Sequence, residues 1–119
     1  MGEEIKIDQA TEDPRITEAH SYAEKMMRNE PYDPYTNIQI GEKYESVGLL
    51  DEARKFYEKA KINAYNSMSA GMGAWLVANS LDGQISEERR TEESERRKEE
   101  YERIIKLVDE KLGRLKTSA

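Results

Sequence analysis

The sequence predicts an all-α protein built of antiparallel helical hairpins with a long helix at its C-terminal end. Three observations predict it. Aspartate followed by proline occurs twice, at Asp13-Pro14 and Asp33-Pro34, each time ahead of a stretch whose apolar residues recur at helical spacing. Residues 41 to 65, GEKYESVGLLDEARKFYEKAKINAY, hold two amphipathic stretches separated only by a short turn at Gly48. The last third has no proline, and its apolar residues from Tyr101 onward alternate spacings of four and three.

Taken in order, residues 1–12 mix acidic and small apolar residues without a period and read as a flexible acidic arm. A first helix starts at Asp13, whose side chain suits an N-cap, with Pro14 at the first helical position. Ile16, Ala19, Ala23, Met26 and Met27 form its apolar face, and Pro31 stops it. A second starts at Pro34 and carries Ile38, Ile40, Tyr44 and Val47, with Gly48 as its C-cap. A third carries Leu50, Ala53, Phe56, Tyr57, Ala60 and Ile62. A short turn between two helices with one apolar stripe each implies an antiparallel hairpin.

Asn63 to Leu81 contains no charged residue, in a chain that is 37% charged. This segment predicts a separate fourth helix, buried on most sides. Ala70, Ala74 and Ala78 recur four apart, a spacing that permits close helix approach. Asp82-Gly83 reads as a turn, and Ser86 as the N-cap of the long final helix, with Glu87 and Glu88 in its first turn. Residues 86–100 have no apolar side chain, so this part is either a solvated rod or disordered. Pairs such as Glu92 with Arg96, Glu93 with Arg97 and Arg96 with Glu100 offer it a few tenths of a kcal/mol each. Tyr101, Ile105, Val108, Leu112 and Leu115 then make a two-heptad seam that Ile104 and Leu107 widen. Two heptads do not hold a coiled coil alone, so this face docks on its own chain or on another.

Composition limits the function classes. There is no cysteine, hence no disulfide framework and no thiolate metal site. The first residues, MGEEIKID, lack the apolar segment of a signal peptide, and no run of about 18 apolar residues predicts a span, so the expectation is a cytoplasmic protein with no membrane partner. Formal charge is −6. Residues 1–33 hold 9 acidic and 4 basic side chains, 34–82 hold 6 and 5, and 83–119 hold 10 and 10. No segment is basic, which argues against nucleic acid. His20 is the only histidine, and nothing supplies a nucleophile with its base, a phosphate-binding loop or a metal pair. The expectation is a protein without catalytic residues, cofactor or metal. A small enzyme or ligand-binding protein with a pocket near Trp75 and His20 is the least favoured alternative.

Residues 34–67 resemble a tetratricopeptide (TPR) repeat. In the register that starts at Pro34, the family's small residue falls on Gly41, its Tyr on Tyr44 and its Gly on Gly48. Its Ala, aromatic and second Ala fall on Ala53, Tyr57 and Ala60. Asn37 stands where the family often has Trp, and Tyr65 where it usually has Pro, so the third helix runs on or turns without the usual break. Upstream, Ala19, Ala23, Met26 and Pro31 match the second half of a preceding repeat. Downstream, 68–81 takes the place of a following first helix. The resemblance therefore implies a TPR-like helical domain over 13–82, followed by the long charged helix of 83–119.

It also implies a partner-binding concave face on the first helix of the repeat. Here that face would present Tyr35, Ile38, Glu42 and Glu45. Its charge disfavours a carboxylate ligand and favours a basic or amphipathic helical protein or peptide. For self-association into a homodimer or higher homo-oligomer, the candidates are Met68, Met72, Trp75 and Leu76 of the uncharged segment, with Tyr101, Ile105, Val108 and Leu112 of the C-terminal face. The expected function is a protein-interaction module or adaptor. The alternative is a structural subunit of a larger complex, bound through its long C-terminal helix.

Overall fold

The computed structural model describes residues 13–80 and 85–118. The arm read at 1–12 and the Asp82-Gly83 turn lie outside the described residues. Those described form four helices and no strand: α1, Pro14–Asn29; α2, Pro34–Ser46; α3, Leu50–Ser80; and α4, Glu87–Ser118.

The helix starts follow from local chemistry. Asp13 accepts a hydrogen bond from the Arg15 amide (2.9 Å), and Asp33 from the Thr36 amide (3.3 Å), with proline at the first helical position each time. Ser86 Oγ accepts from the Arg89 amide at 3.1 Å and caps α4. Helix α2 ends at Val47 rather than at Gly48 itself. Gly48 follows with φ of +82°, the Gly48 amide reaches the Glu45 carbonyl (3.0 Å), and the Leu49 amide reaches the Tyr44 carbonyl (3.0 Å). That double bond pattern terminates a helix and requires a left-handed residue, which glycine adopts without penalty.

Helices α1, α2 and the first half of α3 form an antiparallel sheaf. Lys43 of α2 pairs with Glu18 of α1, and the His20 Nδ1 and Tyr44 hydroxyl lie 2.8 Å apart. Ala19 and Ala23, Ile38, Ile40 and Tyr44, and Ala53, Phe56, Tyr57, Ala60 and Ala64 supply the core. Each large side chain fully buried there contributes about 1.5–3 kcal/mol. Gly41 allows the closest approach: a Cβ on it would overlap the ring of fully buried Tyr57. Asn37 and Asn63 are buried as a pair. The Asn63 side-chain amide donates to Asn37 Oδ1 (2.6 Å), and both asparagines reach the Pro31 carbonyl (3.4 Å each), tying the α1–α2 connection to both later helices.

Two expectations are corrected. The separate helix predicted over 67–81 does not form: of the two outcomes left open by Tyr65 at the proline position, the structure has the run-on, and α3 continues without a break from Leu50 to Ser80. No proline or left-handed residue interrupts it, so nothing removes a backbone bond or turns the chain. The second correction concerns α4. Glu100 meets Tyr35, Lys111 meets Glu42 and Arg114 meets Glu45, so α4 runs parallel to α2. Asp109 meets Lys61, Tyr101 meets Tyr65 and Arg89 meets Trp75, so it runs antiparallel to α3. Residues 100–115 of α4, not 68–81, therefore lie beside the α2–α3 hairpin.

The buried seam of α4 is Ile104, Val108, Lys111 and Leu115, with Tyr101 half-buried at its head. It shares Tyr101, Val108 and Leu115 with the predicted seam but uses Ile104 and Lys111 where Ile105 and Leu112 were expected. Lys111 lies in the seam because its stem packs under the helix while its ammonium reaches Glu42 Oε2 at 2.6 Å.

Candidate protein-interaction surfaces

The face of α2 expected to receive a partner is contacted by α4 of the same chain through Tyr35, Glu42 and Glu45, the first two staying partly exposed. Ile38 is 4% exposed and belongs to the core, which corrects its assignment as a contact residue. Tyr35 is half exposed, and its hydroxyl donates to Glu100. Glu42 pairs with Lys111. Glu45 accepts two hydrogen bonds from Arg114 and one from the Tyr57 hydroxyl. The Arg114 guanidinium holds the Glu45 carboxyl below the usual carboxylate range, with Tyr57 assisting and burial opposing. Burial, followed by the neighbouring Glu45, pushes the Tyr57 phenol far up.

The outer half of the α3–α4 pair is different. Past Ala64, α3 has no buried side chain among the described ones, which corrects the expectation that the uncharged segment is buried on most sides. Met68, Met72, Trp75 and Leu76 are half-buried, and Val77 is 64% exposed. One edge leans on α4: Arg89 lies 5.9 Å from the Trp75 ring centroid, and Arg97 packs against Gly71 while pairing with Glu93. Glu93 takes both Arg96 and Arg97, replacing the pairs expected from Glu92 and Glu100.

An open groove of about 570 Å³ runs between α3 and α4 here, with Tyr65, Met68, Met72, Leu76 and Tyr101 as its apolar lining. A second depression continues it along α4 around Ile105 and shares Tyr101 and Glu102. Tyr65 is 55% exposed, and Ile62, one turn before it, 62%. This face points away from α2, since Ala53, Ala60 and Asn63 occupy the opposite side of α3.

The structure thus gathers Met68, Met72, Leu76, Tyr101 and Ile105 on one open face and leaves others out. Val108 is fully buried in the core and is withdrawn as a surface candidate. Leu112 packs half-buried against the core, and Trp75 sits beside Arg89 outside the groove lining. His20 contacts Tyr44 on the α1–α2 side and shares no pocket with Trp75. Among the described residues, no group of three or more His, Asp or Glu side chains is placed to hold a metal ion. Tyr65 and the charged residues lining the groove, Arg97, Lys98 and Glu102, were missed as site residues. The signal for Lys98 and Glu102 was the opposite charges four apart on α4.

No protein-family model, curated protein or solved structure matches this chain. No helix among the described residues is long and apolar enough to cross a membrane.

Proposed function

We propose that this protein is a non-enzymatic interaction module, a short TPR-like stack that offers the open α3–α4 face to a helical protein partner. The observation that carries the reading is the uncharged, half-exposed outer end of α3. It borders an apolar groove lined by Tyr65, Met68, Met72, Leu76 and Tyr101, beside a body with its own closed core. In the TPR-like reading, α1 stands for the second helix of one repeat and α2 with the start of α3 for a whole repeat. The returning half of α4 fills the slot of a following first helix. The ligand face of the repeat is then closed from within the chain, and binding moves outward to the hairpin. A partner suited to the groove presents an apolar helix stripe flanked by charges of both signs.

Photo-crosslinking amino acids incorporated in turn at Met72, Ile105 and Glu88 test this in the native cell. Adducts of defined mass at Met72 and Ile105, absent at Glu88 on the charged outer helix, support the reading. Equal labelling at all three positions, or none at Met72 and Ile105, overturns it.

The alternative, a structural subunit bound through α4, draws on the same helix. Ile104, Val108 and Leu115 of α4 belong to the core, so in this reading removal of residues 84–119 collapses the body instead of freeing a binding arm.

A further inference from the structure

The charges beside the open groove carry a pattern that names an occupant. Lys98, Glu102, Lys106 and Glu110 stand four apart along α4, alternating in sign. All four are exposed, and all four line the groove or the depression that continues it. Several other charges of α4 find partners within the chain: Glu93 with Arg96 and Arg97, Glu100 with Arg103, Asp109 with Lys61, Lys111 with Glu42 and Arg114 with Glu45. Glu92, Glu95 and Glu99 are without one among the described residues, but they line neither depression. None of the four in the alternating row has an ion-pair or hydrogen-bond partner among the described residues.

An alternating row has a symmetry property. Laid parallel and in register on a copy of itself, it sets like charge against like. Laid antiparallel about its own midpoint, it sets Lys98 against Glu110 and Glu102 against Lys106, and each pair occurs twice. That midpoint falls level with Ile104, beside Ile105 and Tyr101 at the junction of the two depressions. On α3 the same level carries the exposed Ile62 and Tyr65. Apolar centre and charged rim therefore complement themselves under one two-fold axis, the arrangement an isologous dimer needs.

We infer that the open α3–α4 face pairs with the same face of a second copy, antiparallel about a two-fold axis level with Ile104, so that two layers of two helices stack face to face. This rests on the reading of that face as a docking surface and adds the identity and orientation of its occupant. The apolar centre supplies the adhesion. The charged row sets the orientation and rejects the parallel pairing.

Charge reversal with compensation in the same chain tests the inference. Positions 98 and 110 lie about 18 Å apart along the helix, too far to pair within one chain. Light scattering with sedimentation across the micromolar range is expected to show a dimer for the wild type. Lys98→Glu is expected to weaken that dimer by more than about tenfold, and so is Glu110→Lys. The double variant Lys98→Glu/Glu110→Lys is expected to recover it, because both cross-pairs between positions 98 and 110 are restored with their signs inverted and those between Glu102 and Lys106 are unchanged. All of these positions are exposed, and circular dichroism verifies that the helices persist.

A wild-type chain that stays monomeric to high micromolar concentration overturns the inference and leaves the docking surface to the crosslinking experiment. A dimer that dissociates with Met72→Glu but ignores the reversals, or is not rescued by the double variant, keeps the face and overturns the antiparallel pairing. A dimer that survives Met72→Glu and Ile105→Glu overturns both.

Discussion

Arg114 of α4 donates two hydrogen bonds of 2.9 Å to Glu45 of α2, one to each carboxylate oxygen. Tyr57 of α3 donates to the same carboxylate at 2.7 Å. One side chain therefore joins three helices, and the planar guanidinium fork makes that junction directional. It also clamps the returning end of α4 to the body.

The clamp has a pH signature. The folded-state pKa of Glu45 lies below its ordinary 4.5. Its stabilisation is therefore complete above that value and is lost as the pH falls through the depressed one. The Arg114 side chain is 52% exposed, so the contribution is about 0.5–1 kcal/mol rather than that of a buried pair. Urea unfolding midpoints should drop between about pH 6 and about pH 3 by more in the wild type than in Glu45→Gln. Equal drops would mean that other carboxylates carry the acid sensitivity.

Two glycines should respond to alanine with opposite signs. At Gly41 the added methyl enters the Tyr57 ring, which is fully buried and cannot swing aside. A loss of about 1–3 kcal/mol is expected. At Gly113, inside α4, a Cβ meets nothing within 4 Å. Alanine there should gain up to about 1 kcal/mol through helix propensity. Thermal melts of the two variants decide this, and a destabilised Gly113→Ala would contradict the open space beside it.

The asparagine pair predicts non-additivity. Asn37→Leu leaves the Asn63 amide buried without its 2.6 Å acceptor, and Asn63→Leu leaves the Asn37 carbonyl without its donor. Each single change should cost about 1–3 kcal/mol, the penalty of a stranded polar group. The double change should cost less than the sum, because neither asparagine is then left without the other, although the Pro31 carbonyl loses both donors. A double-mutant cycle by chemical denaturation measures the coupling, and strict additivity would show that the two amides act independently.

Continuity of α3 is tested at Tyr65. Proline there deletes one backbone hydrogen bond and clashes with the preceding turn, at about 3 kcal/mol or more. Tyr65→Ala removes the ring, with its contact to Tyr101, but keeps the helix. Far-UV circular dichroism should fall for Tyr65→Pro and hold for Tyr65→Ala. Similar spectra for the two variants would indicate that the chain already bends at this position.

Capping chemistry is short-range, which is why Asp13, Asp33, Gly48 and Ser86 were legible as helix boundaries without tertiary information. The α2–α3 hairpin was legible because Gly41, Tyr44, Ala53 and Tyr57 describe a close crossing within a few turns. Burial of the outer part of α3 was not. Absence of charge says that a segment tolerates burial, whereas Ser69, Ala70, Gly73 and Ala74 have little apolar surface to drive it. The α4 seam was misread by one position at two places, because Lys111 counted as an outward charge. Its hydrocarbon stem lies inside, and only its end needs Glu42.

Helix α3 leaves the core after Ala64, and α4 re-enters it at Ile104. The described residues between them, 65–80 and 85–103, run outward along α3 and back along α4, and the core determines only the registers of departure and return. Removing one heptad from each arm would bring α4 home in phase while drawing the outer ends of both helices inward by about 10 Å. The two outer arms are in this sense a ruler. Their length varies separately from the stability of the body, and it sets how far from that body anything held against them must stand.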